Sequence, residues 1–180
     1  IIPSSVSSNR SPVIGSNVSI RRFVMNGLTV TYSNNRTFTV GADMIINAGT
    51  FTSGGTILAN NFTINGGTFN ANGNNFTATN NLIVNNGLFN SGTSNIVANN
   101  VDINNGEFRI RSNNLNPGNL VTLDGGLLTN TSTQNPLDFS SDFSFLSGTI
   151  DMNFFGMNIS GLYYFVDGSL IDPGSLITAA

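Results

Sequence analysis

FTINGGTFNANGNNFTATNNLIVNNGLFNSG, residues 62–92, states one phrase twice. Phe62-Thr63-Ile64-Asn65-Gly66-Gly67-Thr68-Phe69 returns twenty residues later as Leu82-Ile83-Val84-Asn85-Asn86-Gly87-Leu88-Phe89, with asparagine filling the interval. Working outward, the phrase recurs at Ile45-Ile46-Asn47-Ala48-Gly49-Thr50-Phe51 and at Asp102-Ile103-Asn104-Asn105-Gly106-Glu107-Phe108. It weakens but persists around Gly126, Gly148 and Gly168, and a degenerate first copy is Met25-Asn26-Gly27-Leu28-Thr29-Val30. A fixed period of this length marks stacked repeats and not a globular core assembled from unlike elements.

Within each copy the apolar residues fall two apart, as in Phe62 and Ile64, Leu82 and Val84, or Val101 and Ile103. That is strand spacing, not the three-or-four spacing of a helix. Val, Ile, Phe and Thr fill the strand positions, while Gly and Asn fill the gaps. A second pulse completes each copy, for example Thr56-Ile57-Leu58-Ala59 and Asn95-Ile96-Val97-Ala98. One copy cannot bury its own Phe and Ile, but copies stacked along an axis with parallel strand pairing can. The expectation is an all-β parallel β-solenoid (β-helix) over residues 23–180, of about eight coils with a period near 19–20 residues. Phe51, Phe69, Phe89 and Phe108, continued by Leu128, Ile150 and Leu170, are expected to form one internal stack.

Asn47, Asn65, Asn85 and Asn104 share one repeat position, beside the corner glycines Gly49, Gly67, Gly87 and Gly106. The pairs Asn60-Asn61, Asn80-Asn81 and Asn99-Asn100 share another position. Asn and Gly tolerate the left-handed backbone of sharp corners, and stacked amides can bond to one another along the column. Disorder would not place Phe at a fixed offset from Gly, so the asparagine reads as corner chemistry.

The repeat resembles those of secreted bacterial parallel β-helix proteins, especially filamentous-haemagglutinin-like adhesins and autotransporter passenger rods, with similar repeat length and Gly- and Asn-marked corners. The likeness covers roughly residues 23–170. It implies a rod-like architecture and a place outside the cell, or on a virion surface.

Residues 1–22, Ser-rich with Pro3 and Pro12, fit the repeat poorly and read as an N-terminal arm or cap. The longest interval predicts a protruding corner loop near 129–142. Beyond it, Phe154, Phe155, Tyr163 and Tyr164 cannot all point inward if faces alternate, so they form a candidate assembly or ligand patch. The sequence begins at Ile1 without a signal segment, which reads as a processed chain or a fragment and favours export.

Only 8% of residues are charged; Lys, His, Cys and Trp are absent, and the net charge is −3. An acidic chain with six Arg offers no concentrated basic face for nucleic acid. No apolar run is long enough for a transmembrane helix. Without His or Cys there is no nucleophilic triad and no zinc–thiolate site. The Gly-rich turns carry neutral Asn where calcium loops need carboxylates. Asp124, Asp138, Asp142, Asp151, Asp167 and Asp172 gather in the later copies. Two of them facing each other across a sugar would be the minimum for a glycosidase, whereas Asp124 and Asp167 sit beside Gly as turn residues do.

The expected function is therefore non-enzymatic, with no cofactor and no metal: an extracellular rod or head-to-tail filament subunit acting as surface scaffold or adhesin. Its expected partners are other copies of itself, joined end to end, and cell-surface glycans. The alternative is a carbohydrate-binding or carbohydrate-cleaving β-helix, such as a phage fibre.

Overall fold

The computed structural model describes residues 13–14, 16–32, 35–111, 115–132, 135–171 and 177–179. Residues 1–12 of the expected arm, and Asp172 of the acidic group, lie outside them. The tier that contains the deciding stretch shows the plan. Strand Thr56–Ile64 bends at Asn60 and Asn61, so that residues 56–59 lie on one face, A, and residues 61–64 on the next, B. After the corner at Asn65-Gly66-Gly67, Thr68–Asn70 forms a third face, C. The chain then turns at Ala71–Asn74, where the Asn74 N–H donates to the Ala71 carbonyl at 3.0 Å, and climbs to the next tier.

All pairing between tiers among the described residues is parallel, with equivalent face positions aligned and register shifts confined to the corners. On face B the partners run Phe23, Met44, Phe62, Leu82, Val101, Val121, Phe143, Tyr163. These eight segments and seven steps, counted among the described residues, make an all-β parallel solenoid of about seven turns. On face C the register runs Val30, Phe51, Phe69, Phe89, Phe108, Leu128, Ile150, Leu170. Part of the sequence expected to form an arm belongs to the stack: Val18–Ile20 pairs with Phe38–Val40 on face A, and Val13–Ile14 pairs with Thr31–Tyr32 on face C.

Period-two alternation sends every second side chain inward. Phe62 and Ile64 are buried while Thr63 between them faces out, and the pattern repeats at Leu82 and Val84 and at Val101 and Ile103. Phe51, Phe69, Phe89 and Phe108 are each 0% exposed. Their ring centroids step 5.7, 5.1 and 4.7 Å from one to the next, and the last pair is parallel within 2°. Phe62 and Phe76 pack edge-on against this stack from the other two faces, at 4.9 and 5.3 Å from Phe69. Each buried ring contributes about 1.5–3 kcal/mol from burial alone, and the offset or edge-on contacts suit the ring quadrupole.

Face A breaks once. Leu137–Phe139, Met157–Ile159 and Ile177–Ala179 form a separate three-stranded sheet, unpaired with Leu115–Pro117 below. The break falls at the longest interval, where strands run to Asn130 and resume at Leu137, so that only 131–136 lies between them. The described part of that connection is tied by its own amides: Asn130 Nδ2 donates to the Asn135 carbonyl at 2.9 Å, and the Ser132 N–H donates to Asn130 Oδ1 at 2.9 Å.

The corners correct one expectation. Asn47, Asn65, Asn85 and Asn104 are not left-handed; the only asparagines with positive φ among the described residues are Asn35, Asn72 and Asn153. Gly49 and Gly67 do take positive φ, 88° and 82°, but Gly87 and Gly106 do not. Their reason is proximity: a Cβ on Gly87 would lie 2.3 Å from Ile64 Cγ2, and one on Gly106 would lie 2.4 Å from Val84 Cγ1. Glycine at those two corners lets successive tiers approach to strand-pairing distance.

Candidate functional site

The outer surface of the stack is organised by side-chain amides. At the B–C corner Asn47 Nδ2 donates to Asn26 Oδ1 at 2.7 Å, Asn65 to Asn47 at 2.8 Å, Asn85 to Asn65 at 2.8 Å and Asn104 to Asn85 at 2.7 Å. At the A–B corner Asn61 donates to Asp43 at 3.1 Å, Asn81 to Asn61 at 3.4 Å, Asn100 to Asn81 at 3.0 Å and Asn119 to Asn100 at 2.9 Å. Each amide donates to the tier before it, so both ladders share one polarity. The backbone fixes this geometry, because parallel register places identical residues one strand spacing apart.

Charged groups are spread around the perimeter. Asp138 lies on face A and accepts from Asn158 Nδ2 at 2.6 Å. Asp142 marks the A–B corner and accepts from the Leu162 N–H at 2.9 Å. Asp151 is on face C, its Oδ1 accepting from the Asn153 N–H at 3.1 Å. Asp124 and Asp167 occupy the B–C corner, where Ser147 Oγ donates to Asp124 at 2.8 Å. These acids therefore do not converge on one cleft. Among the described residues, no group of three or more His, Cys, Asp or Glu side chains could hold a metal ion.

On face C, Arg109 forms a two-pronged ion pair with Glu107, Nε to Oε1 at 2.6 Å and Nη2 to Oε2 at 3.0 Å, which raises the guanidinium pKa. Asp102, on the outward side of face B between Ile83 and Thr122, has its pKa raised because burial disfavours the charged carboxylate, against a hydrogen bond from Thr122 that acts the other way. A shallow groove of about 590 Å³ runs along the B–C corner, where Gly87, Gly106 and Gly126 leave the backbone bare. Asn86, Asn105 and Glu107 supply its polar atoms.

The expected patch is dispersed around the last tiers. Tyr164 points outward from face B and is 62% exposed, whereas Tyr163 points inward, partly buried, with its pKa raised by burial. Phe154, also 62% exposed, sits at the C–A corner, in the turn Met152–Phe155 that matches Ala71–Asn74. It takes φ 70° where the earlier turn has Gly73 at 81°. Phe155 beside it is half-buried. Leu170 keeps its expected register above Ile150 but, in the last described tier of face C, is 38% exposed and not buried like the rest of that column.

Sequence reasoning did not find the start of the B–C ladder at Asn26, or Asp43 as the acceptor that begins the A–B ladder. In both cases the signal was position: Asn26 precedes Gly27 directly whereas Asn47 precedes Gly49 by one residue more, and Asp43 stands one repeat before Asn61. Comparison with known proteins returns no matching protein family, no matching curated protein and no matching solved structure. No helix among the described residues is long and apolar enough to cross a membrane.

Proposed function

We propose that the protein is a non-enzymatic, extracellular structural protein, a β-solenoid rod that serves as scaffold or adhesin on a cell or virion surface. The observation that supports this most is the unbroken stack of inward Phe and aliphatic side chains from Val30 to Ile150, flanked as far as Asn104 and Asn119 by two amide ladders of one polarity. Such a prism resists bending and holds its outer face at a fixed distance from its base, about 34 Å for seven steps of strand spacing. Small-angle scattering of the purified chain should give the cross-section of one coil and an elongated shape; a spherical particle would sink the reading. Antibody labelling of intact against permeabilised source cells tests its location, and equal dependence on permeabilisation would place it inside.

Carbohydrate binding is a second reading, favoured by the groove at Asn86, Asn105 and Glu107, whose amides and carboxylate match sugar hydroxyls. Retention on a glycan array that is lost in Glu107→Gln would support it; no retention on any glycan would remove it.

A further inference from the structure

Five asparagines are followed directly by glycine: Asn26, Asn65, Asn72, Asn86 and Asn105. In such a pair the glycine nitrogen can attack the asparagine side-chain carbon Cγ, since no Cβ on the second residue obstructs the approach. Two freedoms are needed. The side-chain amide must be able to turn, and the peptide unit joining the two residues must swing towards it. The structure grants both at two of the pairs and restrains the other three.

Asn65 is held at three points. Its Nδ2 donates to Asn47 and its Oδ1 accepts from Asn85, each at 2.8 Å, while the Gly66 N–H donates to the Ile46 carbonyl at 3.4 Å. Asn26 lies within strand Phe23–Tyr32 and accepts from Asn47. At Asn72 the carbonyl of the Asn72-Gly73 unit itself is tied, accepting from Asn74 Nδ2 at 3.3 Å. Asn86 and Asn105 stand beside the B–C ladder instead of within it. Both residues are exposed, neither side-chain amide has a hydrogen-bond partner among the described residues, and neither does the carbonyl or N–H of the Asn86-Gly87 and Asn105-Gly106 peptide units. The units around them are fixed, with the Asn105 N–H on the Asn85 carbonyl and the Glu107 N–H on the Gly87 carbonyl, both at 2.8 Å. The groove along this corner brings water to both pairs.

We infer that Asn86 and Asn105 are sites of spontaneous deamidation, and that the amide ladder shields the asparagines within it. The glycine nitrogen gives its proton to water and bonds to Cγ. The Cγ–Nδ2 bond breaks, the amide nitrogen takes up a proton and leaves as ammonia, and a cyclic succinimide remains. Water then opens the ring at one carbonyl to give aspartate, or at the other to give isoaspartate, whose main chain runs through the former side chain. In sum, one water is taken up and one ammonia released, with no oxidant or reductant. Each event puts a carboxylate where a neutral amide stood. Positions 86 and 105 lie one tier apart and share the groove with Glu107, so acids gather at one strand spacing along the corner. Arg109, the cation beside them, is already engaged by Glu107. The inference is independent of the rod reading, and it would reverse the character of the groove from amide donors to carboxylate acceptors.

The test is to incubate the full chain at mildly alkaline pH, folded in one series and unfolded in guanidinium in the other, and to follow each site by peptide mass spectrometry. The unfolded series gives every pair its own reference rate. In the folded chain Asn86 and Asn105 should react within a few-fold of that reference. Asn26, Asn65 and Asn72 should fall behind theirs by roughly tenfold or more, because their bonds must first open locally. Isoelectric focusing should show acidic species accumulating in the parent, and Asn86→Gln with Asn105→Gln should suppress them. Should that variant misfold, the site-resolved rates of the parent still decide. Retention of both amides in the folded chain, Asn65 or Asn72 keeping pace with them, or acidic species undiminished in the folded variant would overturn the inference.

Discussion

Asn104 donates to Asn85 as Asn85 does to Asn65, but Asp124, next in that column, has no N–H to pass on. The ladder therefore stops at Asn104 Oδ1 and resumes where Ser147 donates to Asp124. Asp124→Asn should close the gap and raise the melting temperature by about 2 °C, the effect of one modest net hydrogen bond in a domain of this size; an unchanged or lower value in thermal unfolding would count against the ladder as a source of stability. Asp102 offers a test through pH. Its folded pKa is raised, so the folded chain holds that proton more tightly than the unfolded chain, and the charged carboxylate is a penalty at neutral pH that is relieved as pH falls through the raised value towards the ordinary carboxylate range near 3.9. Asp102→Asn, which can still accept from Thr122, should be more stable than the parent at neutral pH, and the difference should shrink on acidification. A difference that grew on acidification would reverse the sign of the account.

At the scale of the element, a corner and a strand have separate requirements. Gly106→Ala places a methyl against Val84 Cγ1 and the Gly87 backbone, so one tier must lift from the next; the expected loss is about 1–3 kcal/mol in denaturant unfolding. Phe89→Ala empties the middle of the ring stack and should cost about 3–5 kcal/mol. Tolerance of both would mean that tiers do not bear on one another. These elements were unequally legible in the sequence. Phe51, Phe69, Phe89 and Phe108 could be aligned from period and parity alone, because the inward position of a strand is a local property. The demand on Gly87 and Gly106 could not, because it comes from side chains of the tier below and not from their own torsions. Asn65 and Asn85 combined both cases: their shared position pointed to a ladder, while the expectation of left-handed corners failed, since the adjacent glycine absorbs the sharp torsion where one is needed.

For the whole molecule, everything depends on successive repeats being successive tiers. The parent chain has no cysteine, so paired single-cysteine spin labels can be placed without background. Thr52, Asn70, Asn90, Arg109, Thr129 and Asp151 form one outward row on face C. Label separations from Asp151 to Asn90, Asn70 and Thr52, measured by pulsed electron resonance, should be about 14, 19 and 24 Å, growing by one strand spacing per repeat. Separations that do not increase in equal steps, or that spread over a broad distribution, would contradict the stacked solenoid.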